Sequence, residues 1–349
     1  MGLGGINTDS IFDDISYDDL SVKLNKLKTR YIEGNIPKLT ERKERLKKLI
    51  DIVENNADAL GDAIQSDFGT RHKQLSLMAD VRSTLSFANH SYKNLSSWIG
   101  PEKRSANFPL NLLGAKAKVH YQPYGVVGII SPWNFPVNLS IGPLVDAFSA
   151  GNAGMIKLSE FVPSTSRLLE QLICEKFDES EVVVINGGMQ TSIDFTKLPF
   201  DHLIYTGSTD IARKVSSEAA KNLVPLTLEL GGKSPTILSN GASIDKSVNK
   251  ILFGKLLNGG QICVSPDYSF IPEQKVEQFI ETSRNFISEK FPTIKNNPDY
   301  TSLVHQSHYE RVKSYIEDAR SKGAEIVEIN PANEDFSQQE YHKIPPTFV

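Results

Sequence analysis

The stretch Pro225-Leu226-Thr227-Leu228-Glu229-Leu230-Gly231-Gly232 reads as a short strand that ends in a double glycine. Side chains alternate along a strand, so Leu226, Leu228 and Leu230 share one face and Thr227 and Glu229 the other. The two glycines let the backbone turn sharply with no Cβ in the way. An apolar helical pattern over 248–257 follows, Asn258-Gly259-Gly260 serves as its C-terminal stop, and Cys263 lies just beyond. A carboxylate at a strand end and a thiol after a glycine break are what a thiol-nucleophile enzyme with a carboxylate base requires. On spacing alone both residues also have ordinary readings, Glu229 as a surface carboxylate and Cys263 as a small core hydrophobe.

Upstream, the apolar runs 126–131, 154–158, 182–185 and 202–206 precede that strand, each followed by a turn and a helical pattern. Nearly continuous apolar strands alternating with helices mean a parallel sheet covered on both faces. Polar and glycine-rich residues follow every strand: Pro132-Trp133-Asn134-Phe135-Pro136, Ser159-Glu160 after Lys157, Asn186-Gly187-Gly188, and Gly207-Ser208-Thr209. In doubly wound sheets ligands bind beyond the carboxyl ends of the strands, so these turns line one crevice. Thr206-Gly207-Ser208-Thr209 feeds a helix over 210–221 whose free N–H groups and positive dipole end suit a phosphate. The Asn134 amide is a non-ionising donor suited to a developing oxyanion. Lys157 and Glu160 read either as an exposed ion pair or as contacts to ribose hydroxyls.

Residues 1–19 are polar and read as a loose arm, 40–64 as one amphipathic helix, 78–95 as another, and 116–122 as a strand of a separate hairpin. The crossover helix at 137–151 contains Pro143 and is expected to be bent or short. Beyond Cys263 the pattern predicts a strand at 268–271, helices at 274–290 and 306–322, and a strand at 325–329. Cys174 falls in an apolar helix and reads as a core residue. His305 and His308 share a helix face and read as solvent-exposed, so the histidines supply no metal set.

With 349 residues the chain is long enough for two domains, and a net charge of −4 with 39% apolar residues gives no basic footprint for nucleic acid. Two cysteines cannot build a disulfide framework, which points to a reducing compartment, the cytoplasm by default. No apolar run is long enough to span a bilayer. Neither a Walker loop nor a Gly-x-Gly-x-x-Gly fingerprint is present.

Pro132-Trp133-Asn134-Phe135-Pro136, Lys157-Leu158-Ser159-Glu160, Tyr205-Thr206-Gly207-Ser208, Leu228-Glu229-Leu230-Gly231-Gly232-Lys233-Ser234-Pro235 and Gly260-Gln261-Ile262-Cys263, in that order, resemble the aldehyde dehydrogenase superfamily, most of all its coniferyl aldehyde branch. The resemblance implies an α/β fold: a doubly wound parallel-sheet NAD(P)-binding domain over 1–230, carrying a small hairpin extension, and a catalytic domain over 231–349 that is incomplete at its C-terminus. It implies that Cys263 attacks an aldehyde, that Asn134 and the Cys263 N–H hold the oxyanion, and that Glu229 activates the water that hydrolyses a thioester. It assigns cofactor contacts to Trp133, Lys157, Glu160, Gly207, Ser208, Leu230 and Gly231, with NAD expected and NADP as the alternative, no metal, a small aldehyde substrate and a homodimer. The chain departs from the family at Ala212, Gly259 and Ile262, and stops before the family's Glu-Ile-Phe-Gly-Pro segment, whose Glu grips the nicotinamide ribose. The competing expectation is a catalytically inactive relative that only binds nucleotide or a partner chain.

Overall fold

The computed structural model describes residues 11–34 and 36–349. It opens on helix α1 (Tyr17–Glu33), whose Ser16 cap accepts from the Asp19 N–H at 3.1 Å. The loose-arm reading of 1–19 is therefore corrected from Ser16 onward; its first ten residues lie outside the described ones. The aspartates that made this stretch look unstructured are themselves a helix start, because Asp18 and Asp19 sit in the first turn beside the positive end of the dipole. Leu20, Leu24 and Leu27, spaced by four and three, are fully buried.

Two helices, α2 (Leu39–Asn55) and α3 (Ala57–Phe68), replace the single helix expected at 40–64. Asn56 breaks it: its φ of −118° and ψ of 20° are not helical, and its side-chain amide donates back to the Ile52 carbonyl at 2.8 Å. After the short α4 (Lys73–Ser76), one widened π turn over Leu77–Arg82 leads into α5 (Ser83–Trp98). The hairpin extension pairs β1 (Glu102–Arg104) with β2 (Ala117–Val119) antiparallel.

Next comes the alternating region: β3 (Val126–Ile130), α6 (Asn138–Ala150), β4 (Ala153–Lys157), α7 (Pro163–Lys176), β5 (Val182–Ile185), α8 (Met189–Thr196), β6 (His202–Gly207), α9 (Thr209–Ala220) and β7 (Leu226–Leu230). The five strands form one parallel sheet in the order β5-β4-β3-β6-β7. Alternation along the strands builds two cores: Val127, Ile129, Ile156, Val182 and Val184 pack with α2, α3, α5, α6 and α7, whereas Val126, Ile130, Met155, Val183 and Ile185 pack with α1, α8 and α9. The strand order reverses between β3 and β6, which makes their carboxyl ends the switch point. Helix α6 runs through Pro143 without interruption, because fully buried Ile141, Leu144, Val145 and Phe148 hold it on both sides of the missing donor.

The remaining chain has its own small core, with Leu238, Ile244, Val248, Leu252, Phe279, Ile287 and Ile329 at its centre. It holds the parallel pair β8 (Ser234–Ile237) and β9 (Pro266–Phe270), with α10 (Ile244–Leu256) between them, then α11 (Val276–Lys290), α12 (Gln306–Ser321) and the short antiparallel pair β10 (Val327–Glu328) and β11 (Thr347–Phe348). Ile237 on β8, Phe270 on β9 and Phe253 on α10 are exposed.

Gly128 lies on the central strand where a Cβ would come within 2.7 Å of the Phe200 ring. Phe200 and its neighbour Leu203 are buried and cannot move aside. Gly128→Ala is expected to cost about 1–3 kcal/mol by overpacking. Urea melts should show a lower midpoint with an unchanged slope, and an unaltered midpoint would count against this packing.

Candidate active site

The turn after β3 carries Trp133 and Asn134. The Asn134 carbonyl accepts from the Arg71 guanidinium at 2.8 Å and from the Asn258 amide at 3.3 Å, while the Asn134 side-chain amide donates to the Gln261 carbonyl at 3.1 Å. An amide nitrogen has two protons, so one donor of Asn134 remains after this bond.

Asn258, Gly259 and Gly260 all adopt positive φ, at 53°, 61° and 75°. Such a run is strained for L-residues with side chains, and glycine at two of the three positions relieves it. Space requires it too, since a Cβ on Gly259 would stand 2.9 Å from the Thr301 carbonyl. Asn258 is fully buried and Gln261 ties the turn down, donating to the Asn258 carbonyl at 2.9 Å and the Ser302 carbonyl at 3.0 Å and accepting from the Val304 N–H at 3.1 Å. The sequence had marked Asn258-Gly259-Gly260 only as a helix stop.

Two residues on, the Cys263 carbonyl accepts from the Gly232 N–H at 3.1 Å, which stitches it to the turn after Glu229. The Asn134 side chain thus meets the chain two residues before Cys263, and the turn three residues after Glu229 meets Cys263 itself. Cys263 is exposed, not packed in the core. Glu229 is exposed on the edge strand β7, opposite Thr206 in register. Cys174 is also exposed, which corrects its reading as a core residue: Leu169, Leu172 and Ile173 form the buried face of α7 and Cys174 falls one position outside it. Its thiol pKa is pushed up by desolvation first, then by Glu170 and Glu179.

Around the same edge stand the other expected contacts. Lys157 ends β4 almost fully buried, donating to the Leu158 carbonyl at 2.7 Å and to Glu160 at 3.2 Å. The exposed-pair reading is therefore corrected. Burial pulls the Lys157 pKa down and Glu160 opposes it. Ser208 caps α9, accepting from the Ile211 N–H at 3.4 Å, and lies exposed with Thr209. At Gly207 a Cβ would collide with the Tyr205 hydroxyl, so only glycine keeps this turn close to the sheet. Leu230 is half-buried, and nothing crowds the Cα of Gly231.

Trp133 packs edge-on against His308 at 4.8 Å and lies 6.4 Å from Phe68. His308 also meets the Phe161 ring at 5.1 Å, so its reading as solvent-exposed is corrected: the first turn of α12 leans on Trp133 and Phe161, while the rest of the helix is largely open to water. Among the described residues no group of three His, Cys, Asp or Glu is placed to hold a metal ion, and no helix is long and apolar enough to cross a membrane.

Beyond the switch point of the parallel sheet the Asn134 amide reaches the chain at Gln261 and the turn after Glu229 reaches it at Cys263, and residues 36–349 match the aldehyde dehydrogenase family. The chain belongs to that family of oxidoreductases acting on small aldehydes, whose members use NAD or NADP. It is 47% identical over 327 residues to the probable coniferyl aldehyde dehydrogenase of Caulobacter vibrioides, covering 93% of this chain and 67% of that protein. With the coniferyl aldehyde dehydrogenase of Pseudomonas sp. strain HR199 it shares 40% identity over 335 residues, 96% of this chain and 69% of that one. The structure of Staphylococcus aureus AldH in a substrate-bound state superposes with a TM-score of 0.85 at 32% identity, covering 94% and 69% of the two chains. The chain thus spans about two thirds of the length of these relatives.

Burial first, then the nearby charges of Arg311 and His305, pull the His308 pKa from 6.5 down to about 4. A histidine held neutral by folding supports stability above its unfolded pKa and withdraws that support as pH falls toward the folded one. Stability is expected to decline from about pH 6.5 to about pH 4 by at most about 3 kcal/mol from this residue. His308→Gln should flatten that part of the curve in denaturant melts run at stepped pH; an identical slope in both proteins would argue against it.

Proposed function

We propose that this protein oxidises an aldehyde to the carboxylic acid with NAD(P), NAD being preferred, through a thiohemiacetal and a thioester on Cys263. Aromatic aldehydes such as coniferyl aldehyde, or fatty aldehydes, are the proposed substrates. The observation that carries the reading is the pair of bonds from Asn134 to Gln261 and from Gly232 to Cys263, which draw three distant segments to one point. The exposed Cys263 thiolate adds to the carbonyl carbon, forming an S–C bond and moving the π electrons onto oxygen. The remaining Asn134 N–H and the Cys263 backbone N–H receive that charge as it develops. Bound nicotinamide cofactor supplies an acceptor for the hydride that leaves this carbon. Cys263 then holds the acyl group as a thioester. Glu229 takes a proton from a water that adds to it, and the thiolate departs as the acid forms.

The residues at the sheet edge suit a dinucleotide. Glu160 shares one carboxylate oxygen with Lys157, leaving the other for ribose hydroxyls, and its charge disfavours a 2′-phosphate. The exposed N-terminus of α9 at Ser208 suits the pyrophosphate, with Gly207 keeping the approach close. Trp133, Leu230 and Gly231 complete the proposed cofactor contacts, residues 1–230 forming the cofactor-binding part and 231–349 the catalytic part. Two free thiols suit a reducing cytoplasm, and an intact family member is expected to be a homodimer.

Mixing the protein with NAD and coniferyl aldehyde should raise absorbance from reduced cofactor. Cys263→Ala should abolish it, and Glu229→Gln should leave a mass increment of one acyl group on Cys263. Cofactor binding with no turnover by the parent protein would favour the inactive, nucleotide-binding alternative. Glu160→Ser should narrow the ratio of NAD to NADP apparent affinities, and an unchanged ratio would remove Glu160 from cofactor selection.

A further inference from the structure

Asn134 acts through its side chain, yet its carbonyl is held as firmly as its amide. The holder is Arg71, in the link between α3 and α4, with no exposed surface at all. One guanidinium nitrogen donates to the Asn134 carbonyl at 2.8 Å, and another to Asp80 at 2.6 Å. The Phe68 and Phe135 rings lie against the guanidinium at 4.9 and 5.2 Å. Asp80, equally buried, sits in the π turn 77–82. Its second oxygen accepts from the N–H groups of Val137 and Asn138 at 3.1 and 3.2 Å, where α6 begins. Arg71 therefore grips the middle of the Pro132-to-Pro136 turn and Asp80 the chain just beyond its far end, and one ion pair joins the two grips.

A buried ion pair is a poor way to gain stability, because desolvating both charges offsets most of their attraction. This pair also leaves the Arg71 Nε buried without a partner. Geometry is what it provides: fixed hydrogen bonds at the middle of a five-residue turn and just beyond its far end hold the Asn134 backbone in one orientation. A π turn in the helix is the sort of irregularity that recurs at functional sites. We propose that Arg71 and Asp80 are positioning residues for the Asn134 amide, holding its free N–H where negative charge develops during carbonyl addition to Cys263. The proposal rests on the reading of Asn134 and Cys263 given above.

Two reactions of the same thiol separate this role from a merely structural one. Alkylation by iodoacetamide displaces iodide and forms no oxyanion. Acylation by p-nitrophenyl acetate passes through a tetrahedral oxyanion before the C–O bond breaks and p-nitrophenolate leaves with the electron pair. Both are run on the full chain without cofactor, with peptide mapping to separate Cys263 from the exposed Cys174. Asp80→Asn and Arg71→Lys are expected to slow acylation roughly 10- to 100-fold, less than the roughly 100- to 1000-fold loss expected for Asn134→Ala. Alkylation should stay within about twofold of the parent, and Asp80→Asn should add nothing to acylation in the Asn134→Ala background. Equal slowing of both reactions, additive losses, or an acylation rate at the parent value would overturn the proposal while leaving the site reading intact. Failure of both variants to fold would assign the pair to stability and overturn it as well. If Asn134→Ala itself acylates at the parent rate, the site reading fails and this proposal with it.

Discussion

Three successive residues with positive φ, Asn258, Gly259 and Gly260, are the constraint on which the site depends. Helix α10 would otherwise run on in its own direction and carry Cys263 away from the sheet. The left-handed turn stops it, and the amides of Asn258 and Gln261 replace the lost helix bonds with bonds to residues 134, 302 and 304. The chain after β7 is therefore locked onto the turn after β3 by hydrogen bonds that are buried or half-buried, where a missing partner leaves a desolvated polar group.

Around this lock the structure uses buried charge to hold shape. Arg71, Asp80 and Lys157 have almost no exposed surface, and each is tied to a backbone group of a turn at the sheet edge. Asp67 serves the neighbouring helix in the same way, accepting from the Ser164 and Thr165 N–H groups at the start of α7. Its carboxyl pKa is raised by burial, against which these bonds pull. Turns that must meet a ligand cannot be buried under hydrocarbon, so their order comes from charge-assisted bonds behind them.

The second core gives a different picture. The β8–β9 ladder is short, and the apolar side chains of Ile237, Phe253 and Phe270 face water. A two-stranded ladder is marginal without cover, so this part draws its order from α10, α11 and the lock at Asn258. The edge strand β7 is likewise open, which leaves Glu229 free of the core that claims Leu226 and Leu230.

The amino-acid order by itself determined the five strands of the parallel sheet, because each is a compact apolar run closed by a turn. It also singled out Asn134, Glu229 and Cys263 as candidates for chemistry, since local pattern announces strand ends and glycine breaks. The tertiary structure alone decided what depends on a partner distant in sequence. Helix α1 escaped notice because its acidic start looked like solvated chain until Leu20, Leu24 and Leu27 found the sheet. His308 looked exposed on its helix until Trp133 and Phe161 closed over it. Arg71 and Asp80 carry no local signal at all. Whether a charged side chain stands in water or grips a turn 63 residues away depends on packing, and no window of sequence contains that contact.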